Sequence, residues 1–116
     1  LYLEGYEAFA GDAETCLRSA VVDVGGRDGT GEIEALPGRP TPLGPDVAPQ
    51  QILLRYVQSY PDGSSAEMNE FVACLPLAAG ASVLEITIQV PTSLYEAELP
   101  LATAVLATLI LPSTAA

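Results

Sequence analysis

The sequence predicts a mainly β fold, an antiparallel meander or sandwich-like sheet with at most one short helix near the C-terminus. Between residues 51 and 90, apolar and polar side chains alternate in short runs that are separated by turn residues. The hydrophobic fraction is 49% and the charged fraction is 16%, which excludes a disordered acidic chain. Because 116 residues is the length of one domain, we expect a single β-rich domain over residues 1–116.

The N-terminal stretch 1–9 has a weak strand pattern that is interrupted by Gly5. Its aromatic side chains favour an alternative role as an arm that docks on a neighbouring subunit. Tyr2, Tyr6 and Phe9 are therefore candidate interface residues in this stretch. The next apolar run, residues 17–24, is rich in valine and is predicted to be a strand.

Four glycines fall within residues 25–31, and residues 32–36 then alternate polar and apolar side chains. This pattern is typical of a β-hairpin whose glycines supply positive φ angles at the reversal. A phosphate-binding loop is disfavoured because the Gly-Lys-Ser/Thr ending is missing. A calcium loop is disfavoured because Asp28 and Glu32 offer too few oxygen ligands. We therefore predict a hairpin between residues 17–24 and 32–36.

Five prolines lie between residues 37 and 49, a density that neither a helix nor a central strand accommodates. We predict an extended Pro-rich loop, longer than most connections. Long loops often form interaction surfaces, so Leu43 is a further candidate interface residue. A plain crossover between two halves of the sheet is the alternative interpretation.

The second half predicts three strands, at residues 52–60, 67–77 and 82–90, joined by turns at 61–64 and 78–80. In the last strand Ile86 and Ile88 are expected to point inward, whereas Thr87 and Gln89 point to solvent. The pattern indicates an antiparallel meander with one wetted face.

The tail, residues 99–111, is compatible with two structures. A helix would place Pro100 in its first turn and Leu101, Val105 and Leu109 on one face. A final strand is also consistent, because β-formers are frequent from Val105 onward. We favour a strand from about Val105, preceded by a short irregular or helical piece.

The charge of the chain limits its partners. The chain contains 15 acidic residues, four arginines and no lysine, which gives a formal net charge of −11. Such a chain repels nucleic-acid phosphates and anionic lipid, so we expect no direct nucleic-acid binding. Acidic pairs such as Glu67 and Glu70 are interpreted as solvated surface. The longest apolar stretch, residues 99–112, is interrupted and too short for membrane insertion.

The side chains that usually carry catalysis are scarce. Without histidine or lysine, the common serine and cysteine triads are absent, and two cysteines do not make a zinc site. We therefore expect no enzyme, no cofactor and no metal site.

The two cysteines, Cys16 and Cys74, admit two interpretations. Paired, they would close a long loop and stabilise the fold by about 4 kcal/mol. Unpaired, they would be small buried thiols in the core. Because Cys16 lies just before the strand predicted at 17–24 and Cys74 lies inside the strand predicted at 67–77, we predict a disulfide that crosses the sheet.

The run Ala20-Val21-Val22-Asp23-Val24-Gly25-Gly26, followed by residues 29–33, resembles the first hairpin of the coat proteins of small single-stranded RNA phages. Residues 85–91, 98–102 and 109–112 are similar in order to the later strands of that family. The resemblance implies a β-rich shell subunit. The sheet face that meets RNA in that family carries Thr87 and Gln89 here and no lysine, so no RNA-binding residues are carried over.

Two classes of function follow. The first is a non-enzymatic structural subunit of a capsid, decoration or filament assembly, which acts through protein–protein contacts and self-association. The alternative is a secreted or cell-surface acidic binding domain that is stabilised by one disulfide. Both imply an extracellular or virion location. Since the chain begins at Leu1 rather than at methionine, we expect a processed or trimmed product.

Overall fold

The computed structural model describes residues 2–10, 12–36, 51–76 and 82–107. Its five strands form one antiparallel sheet in the order β1-β5-β4-β3-β2, which confirms the mainly β fold class. One helix packs on each face of this sheet. The elements are β1 (Tyr2–Ala10), α1 (Ala13–Gly25), β2 (Glu34–Ala35), β3 (Gln51–Ser59), β4 (Ser65–Pro76), β5 (Ser82–Pro91) and α2 (Tyr95–Ala107).

The predicted meander is confirmed, because β3, β4 and β5 are consecutive antiparallel neighbours. The turn between β3 and β4 also matches its prediction. Tyr60 and Ser64 close it with a backbone hydrogen bond of 2.9 Å, and Gly63 has a φ of +89°. The Asp62 carboxylate accepts from the Ser64 backbone N–H at 2.9 Å. The turn predicted at 78–80 lies outside the described residues.

Helix α1 replaces the strand that was predicted at residues 17–24, and that prediction is wrong. Asp12 caps the helix by accepting from the Thr15 backbone N–H at 2.7 Å. The buried residues Cys16, Ala20 and Val24 recur every four positions, which is a helical spacing. The strand preference of the valines is therefore outweighed by the cap and by the packing of one helical face against the sheet.

The hairpin predicted around residues 25–31 is also wrong, because this glycine-rich run connects a helix to an edge strand. Gly29, with a φ of +82°, accepts a hydrogen bond from the Ser59 N–H at 2.8 Å. Gly31 donates to Val57 at 2.9 Å. The run therefore lies against the end of β3 and leads into the two-residue strand β2.

The close approach of Gly29 to β3 predicts a strong position-specific effect of Gly29→Ala. A Cβ at this residue would fall on the Ser59 carbonyl oxygen, whereas a Cβ at Gly63 would meet nothing within 4 Å. We expect Gly63→Ala to lower the free energy of unfolding by about 1 kcal/mol, because alanine is strained at a positive φ. Gly29→Ala should lower it by about 2 kcal/mol, because the contact with Ser59 adds to the same strain. Urea unfolding measures both changes, and equal losses would contradict the contact.

The two faces of the sheet are covered by different helices. On β4, Phe71, Ala73 and Leu75 pack with α2, while Val72 and Cys74 pack with α1, as the predicted alternation requires. The prediction of one wetted face is wrong. The polar side chains of β5 lie on the face that carries α1, and among them Thr87 is only 6% exposed.

Helix α2 shows that the tail is helical as far as Ala107, so the strand that we favoured from about Val105 is wrong for residues 105–107. The buried face of the helix includes Tyr95, Ala102 and Leu106, whereas Leu101 is 54% exposed. Leu101 therefore lies away from the buried face, and Leu109, predicted to share a face with it, lies outside the described residues. Among the described residues, neither helix has the length and apolar character needed to cross a membrane.

Candidate functional site

The structure places three of the four candidate interface residues on one edge strand. Tyr2, Tyr6 and Phe9 belong to β1, which pairs with β5 and shows a register shift between Tyr6 and Phe9. The weak strand pattern of the N-terminal stretch is therefore confirmed from Tyr2 onward, and the alternative docking role stays a prediction. In the described part of the chain, β1 ends the strand order, so its outer side faces no further strand. Leu43 and the Pro-rich loop 37–49 lie outside the described residues.

A polar network lies on the face of the sheet that carries α1, and its centre is the buried carboxylate of Glu70. The guanidinium of Arg27 donates to both carboxylate oxygens of Glu70, at 2.9 and 3.1 Å. Tyr56 Oη donates to Glu70 Oε1 at 2.7 Å, and Gln89 Nε2 donates to the same oxygen at 2.9 Å. Four hydrogen bonds therefore hold a carboxylate that is 1% exposed.

Three neighbouring strands and one turn bring these side chains together. Glu70 lies on the central strand β4, while Tyr56 and Gln89 lie on the flanking strands β3 and β5. Arg27 follows the C-terminal cap of α1, where its backbone N–H donates to the Val24 carbonyl at 3.2 Å. The end of the helix thus directs the guanidinium over the centre of the sheet.

Sequence reasoning missed this network, because Glu70 was interpreted as solvated surface. The available signal was the position of Glu70 in the alternation of β4. It shares a face with Met68, Val72 and Cys74, all of which are apolar. A carboxylate among such residues indicates a buried partner.

The network raises the pKa values of two of its hydrogen-bond donors, Tyr56 and Arg27. Burial, followed by the hydrogen bond to Glu70, raises the pKa of Tyr56 well above its usual value, so the phenol stays a donor. Burial alone would lower the pKa of Arg27, but the hydrogen bonds and charge of Glu70 outweigh it and raise that pKa. The arrangement is therefore suited to anchoring the chain after α1 onto the sheet.

A small cleft opens beside the network. Its volume is about 20 Å³, enough for one water molecule and far below the size of a small-molecule site. The cleft is lined by Ala20, Asp23, Arg27, Glu70, Glu85, Thr87 and Gln89.

A disulfide joins Cys16 of α1 to Cys74 of β4, with an S–S distance of 2.06 Å and a Cα–Cα distance of 6.2 Å. It connects a helix to the sheet, whereas the sequence predicted a link between two strands. Both cysteines are fully buried. Glu85 Oε1 lies 3.6 Å from Cys16 Sγ. Because a disulfide sulfur carries no proton, this is a contact between the two atoms and not a hydrogen bond.

Comparison with protein-family models, with curated proteins and with solved structures finds no match to this chain. The hairpin at the start of the resemblance to RNA phage coat proteins is replaced by α1. The resemblance of the later segments stays a hypothesis. Function is therefore argued from the geometry of this chain.

Proposed function

We propose that the chain is a non-enzymatic structural subunit that assembles with copies of itself through the outer edge of β1. The observation that carries the proposal is the position of β1, a nine-residue strand at the end of the sheet. The outer backbone N–H and C=O groups of an edge strand form a template for pairing with another chain. A second β1, related by a two-fold axis, would extend the sheet across both copies.

The composition of β1 supports this role. Its sequence, YLEGYEAFA, contains neither the lysine nor the proline with which proteins commonly protect an exposed edge. Residues 2–6 pair with β5 in unbroken register, and the irregularity falls after Tyr6. The regular half of the strand, residues 2–6, is therefore the part that we assign to the contact between subunits.

The arginines in the described part of the chain support a role in which the protein does not contact nucleic acid directly. Each of the three arginines in the described part of the chain is hydrogen-bonded to a glutamate: Arg18 to Glu14, Arg27 to Glu70 and Arg55 to Glu34. A guanidinium that is already paired has less to gain from a phosphate. Protein partners fit this surface better than polyanions do.

Self-association of this kind is expected to strengthen with salt. Copies that carry a net charge of −11 repel one another, and at about 0.1 M salt this repulsion is already screened beyond roughly 10 Å. Light scattering coupled to size-exclusion chromatography, at 0.05 and at 0.5 M NaCl, should show a larger mass at the higher salt. A monomer at every salt and protein concentration would refute the assembly.

A lysine placed on β1 distinguishes pairing through this edge strand from association through another surface. Tyr6→Lys lowers the net repulsion between copies and yet should reduce assembly, because lysine on an edge strand opposes pairing. Tyr60→Lys is the matched control, since Tyr60 is 44% exposed and lies outside the strands. Equal behaviour of the two variants would place the contact elsewhere.

The disulfide favours a second candidate, a secreted or cell-surface acidic binding domain. Disulfides persist in oxidising compartments, which agrees with the extracellular or virion location that we propose for either function. This candidate predicts a monomer that binds a basic protein partner, with an affinity that falls as salt rises. The opposite salt dependence of the two candidates distinguishes them.

A further inference from the structure

The surroundings of the disulfide suggest a second state of the protein, independent of its assembly. The two sulfur atoms and a carboxylate oxygen of Glu85 all lie within 4.8 Å of one another. The carboxylate belongs to β5, the sulfurs to α1 and β4, and the cleft beside Glu85 leads to solvent. We propose that reduction of the Cys16–Cys74 bond creates a binding site for a thiophilic divalent cation such as Zn²⁺, with Glu85 as the third protein ligand.

The ligand distances agree with tetrahedral zinc. With Zn–S bonds of about 2.3 Å and a Zn–O bond of about 2.0 Å, sulfur and oxygen ligands stand about 3.5 Å apart. The distance from Cys16 Sγ to Glu85 Oε1 is 3.6 Å. One edge of the coordination tetrahedron is therefore present while the disulfide is intact.

The edge of the coordination tetrahedron that joins the two sulfurs requires them to move apart after reduction. Two thiolates on one zinc ion stand about 3.8 Å apart, which is farther than any two bonded sulfurs. The Cα atoms of Cys16 and Cys74 are 6.2 Å apart, so rotation of the two side chains reaches that separation without moving the backbone. Bonded sulfurs lack the thiolate charge that binds zinc, so the disulfide and the metal exclude each other.

The Glu85 carboxylate contacts Cys16 Sγ and also lines the cleft, which neither cysteine lines. Glu85 and Thr87 line it, and its volume of about 20 Å³ holds one water molecule. Zinc sites with three protein ligands use a water as the fourth ligand. We assign this opening as the entry path for the ion, past the Glu85 carboxylate, since both cysteines are fully buried and neither lines the cleft.

The reaction balances with an external dithiol as reductant. The dithiol gives two electrons and two protons to the Cys16–Cys74 bond and becomes a disulfide itself, leaving two protein thiols. Binding of Zn²⁺ then releases both thiol protons to solvent and forms two Zn–S bonds. Exchange with a small-molecule disulfide, which takes up two electrons and two protons and becomes two thiols, re-forms the Cys16–Cys74 bond and releases Zn²⁺.

The test is a metal titration of the wild-type chain, reduced with dithiothreitol and freed of it by anaerobic desalting. Co²⁺ is the probe, because thiolate-to-cobalt charge transfer gives an absorption band, and Zn²⁺ should displace it. We expect saturation at one ion per reduced chain and no band in the oxidised chain or with both cysteines replaced by serine. Absence of the band in the reduced wild-type chain would overturn the proposal.

The role of Glu85 is tested by Glu85→Gln, which should weaken cobalt and zinc binding by about 10-fold or more. Glu32→Gln removes the same charge from an exposed position and should leave the affinity unchanged. Equal affinities in the two variants would exclude Glu85 as a ligand. If Glu85→Gln fails to fold in the oxidised state, Glu85→Asp, which keeps a carboxylate on a shorter side chain, provides the comparison.

Far-UV circular dichroism during the titration shows whether loss of the disulfide unfolds the chain. A reduced chain that unfolds should regain its structure as Zn²⁺ is added, because the ion binds the folded ligand set. A reduced chain that stays unfolded at saturating Zn²⁺ would count against the site.

Discussion

Replacing Cys16 and Cys74 together with alanine is expected to lower the free energy of unfolding by about 4 kcal/mol. The disulfide links residues 58 positions apart, and a loop of that length restricts the unfolded chain by about this amount. Since small domains are stabilised by about 5–15 kcal/mol in total, the loss is a large fraction of the whole. Urea unfolding of the oxidised wild-type chain and of the double variant measures it.

The slope of the unfolding free energy against urea concentration shows whether this loss arises in the unfolded chain. Without the cross-link the unfolded chain exposes more surface, so the slope of unfolding free energy against urea should become steeper. Reduced wild-type chain, kept in a chelator to remove metal ions, should behave like the double variant. A loss below about 1 kcal/mol in both would mean that the bond does not restrict the unfolded chain as the entropy argument requires.

Replacing Arg27 with methionine is expected to lower the free energy of unfolding by about 3 kcal/mol. Methionine keeps much of the length of the side chain but leaves the buried carboxylate of Glu70 without its cation. We place the loss at the lower end of the range for buried pairs because the Arg27 side chain is 35% exposed and the cleft admits water. Thermal and urea unfolding measure the change.

Two variants show whether burial of the pair causes this effect. Arg55→Met removes two hydrogen bonds from one nitrogen to Glu34, whose side chain is 58% exposed compared with 1% for Glu70, and it should change stability little. Adding Glu70→Gln to Arg27→Met removes the unpaired charge while keeping an oxygen that can accept from Tyr56. The double variant should be more stable than Arg27→Met alone, and the opposite order would contradict a penalty from buried charge.

The polar network illustrates how far local patterns reach. Alternation along β4 indicates which residues share a face, and it places Glu70 with Val72 and Cys74. The pattern does not show that Arg27, 43 positions earlier, lies over that carboxylate. That contact depends on where α1 ends and on how the helix packs on the sheet, and neither is a local property of the residues involved.

Local sequence patterns were enough to predict the mainly β fold, the β3–β4–β5 meander and the turn at residues 61–64. In these segments a two-residue period and the turn preferences of proline and glycine act between near neighbours. The valine-rich run 17–24 is helical because burial of Cys16 and Ala20 against β4, added to the Asp12 cap, outweighs its strand preference, and that burial is a tertiary contact. The tertiary structure also decided that the polar side of β5 is covered, since alternation reports which residues share a face and a neighbouring element determines whether that face meets water.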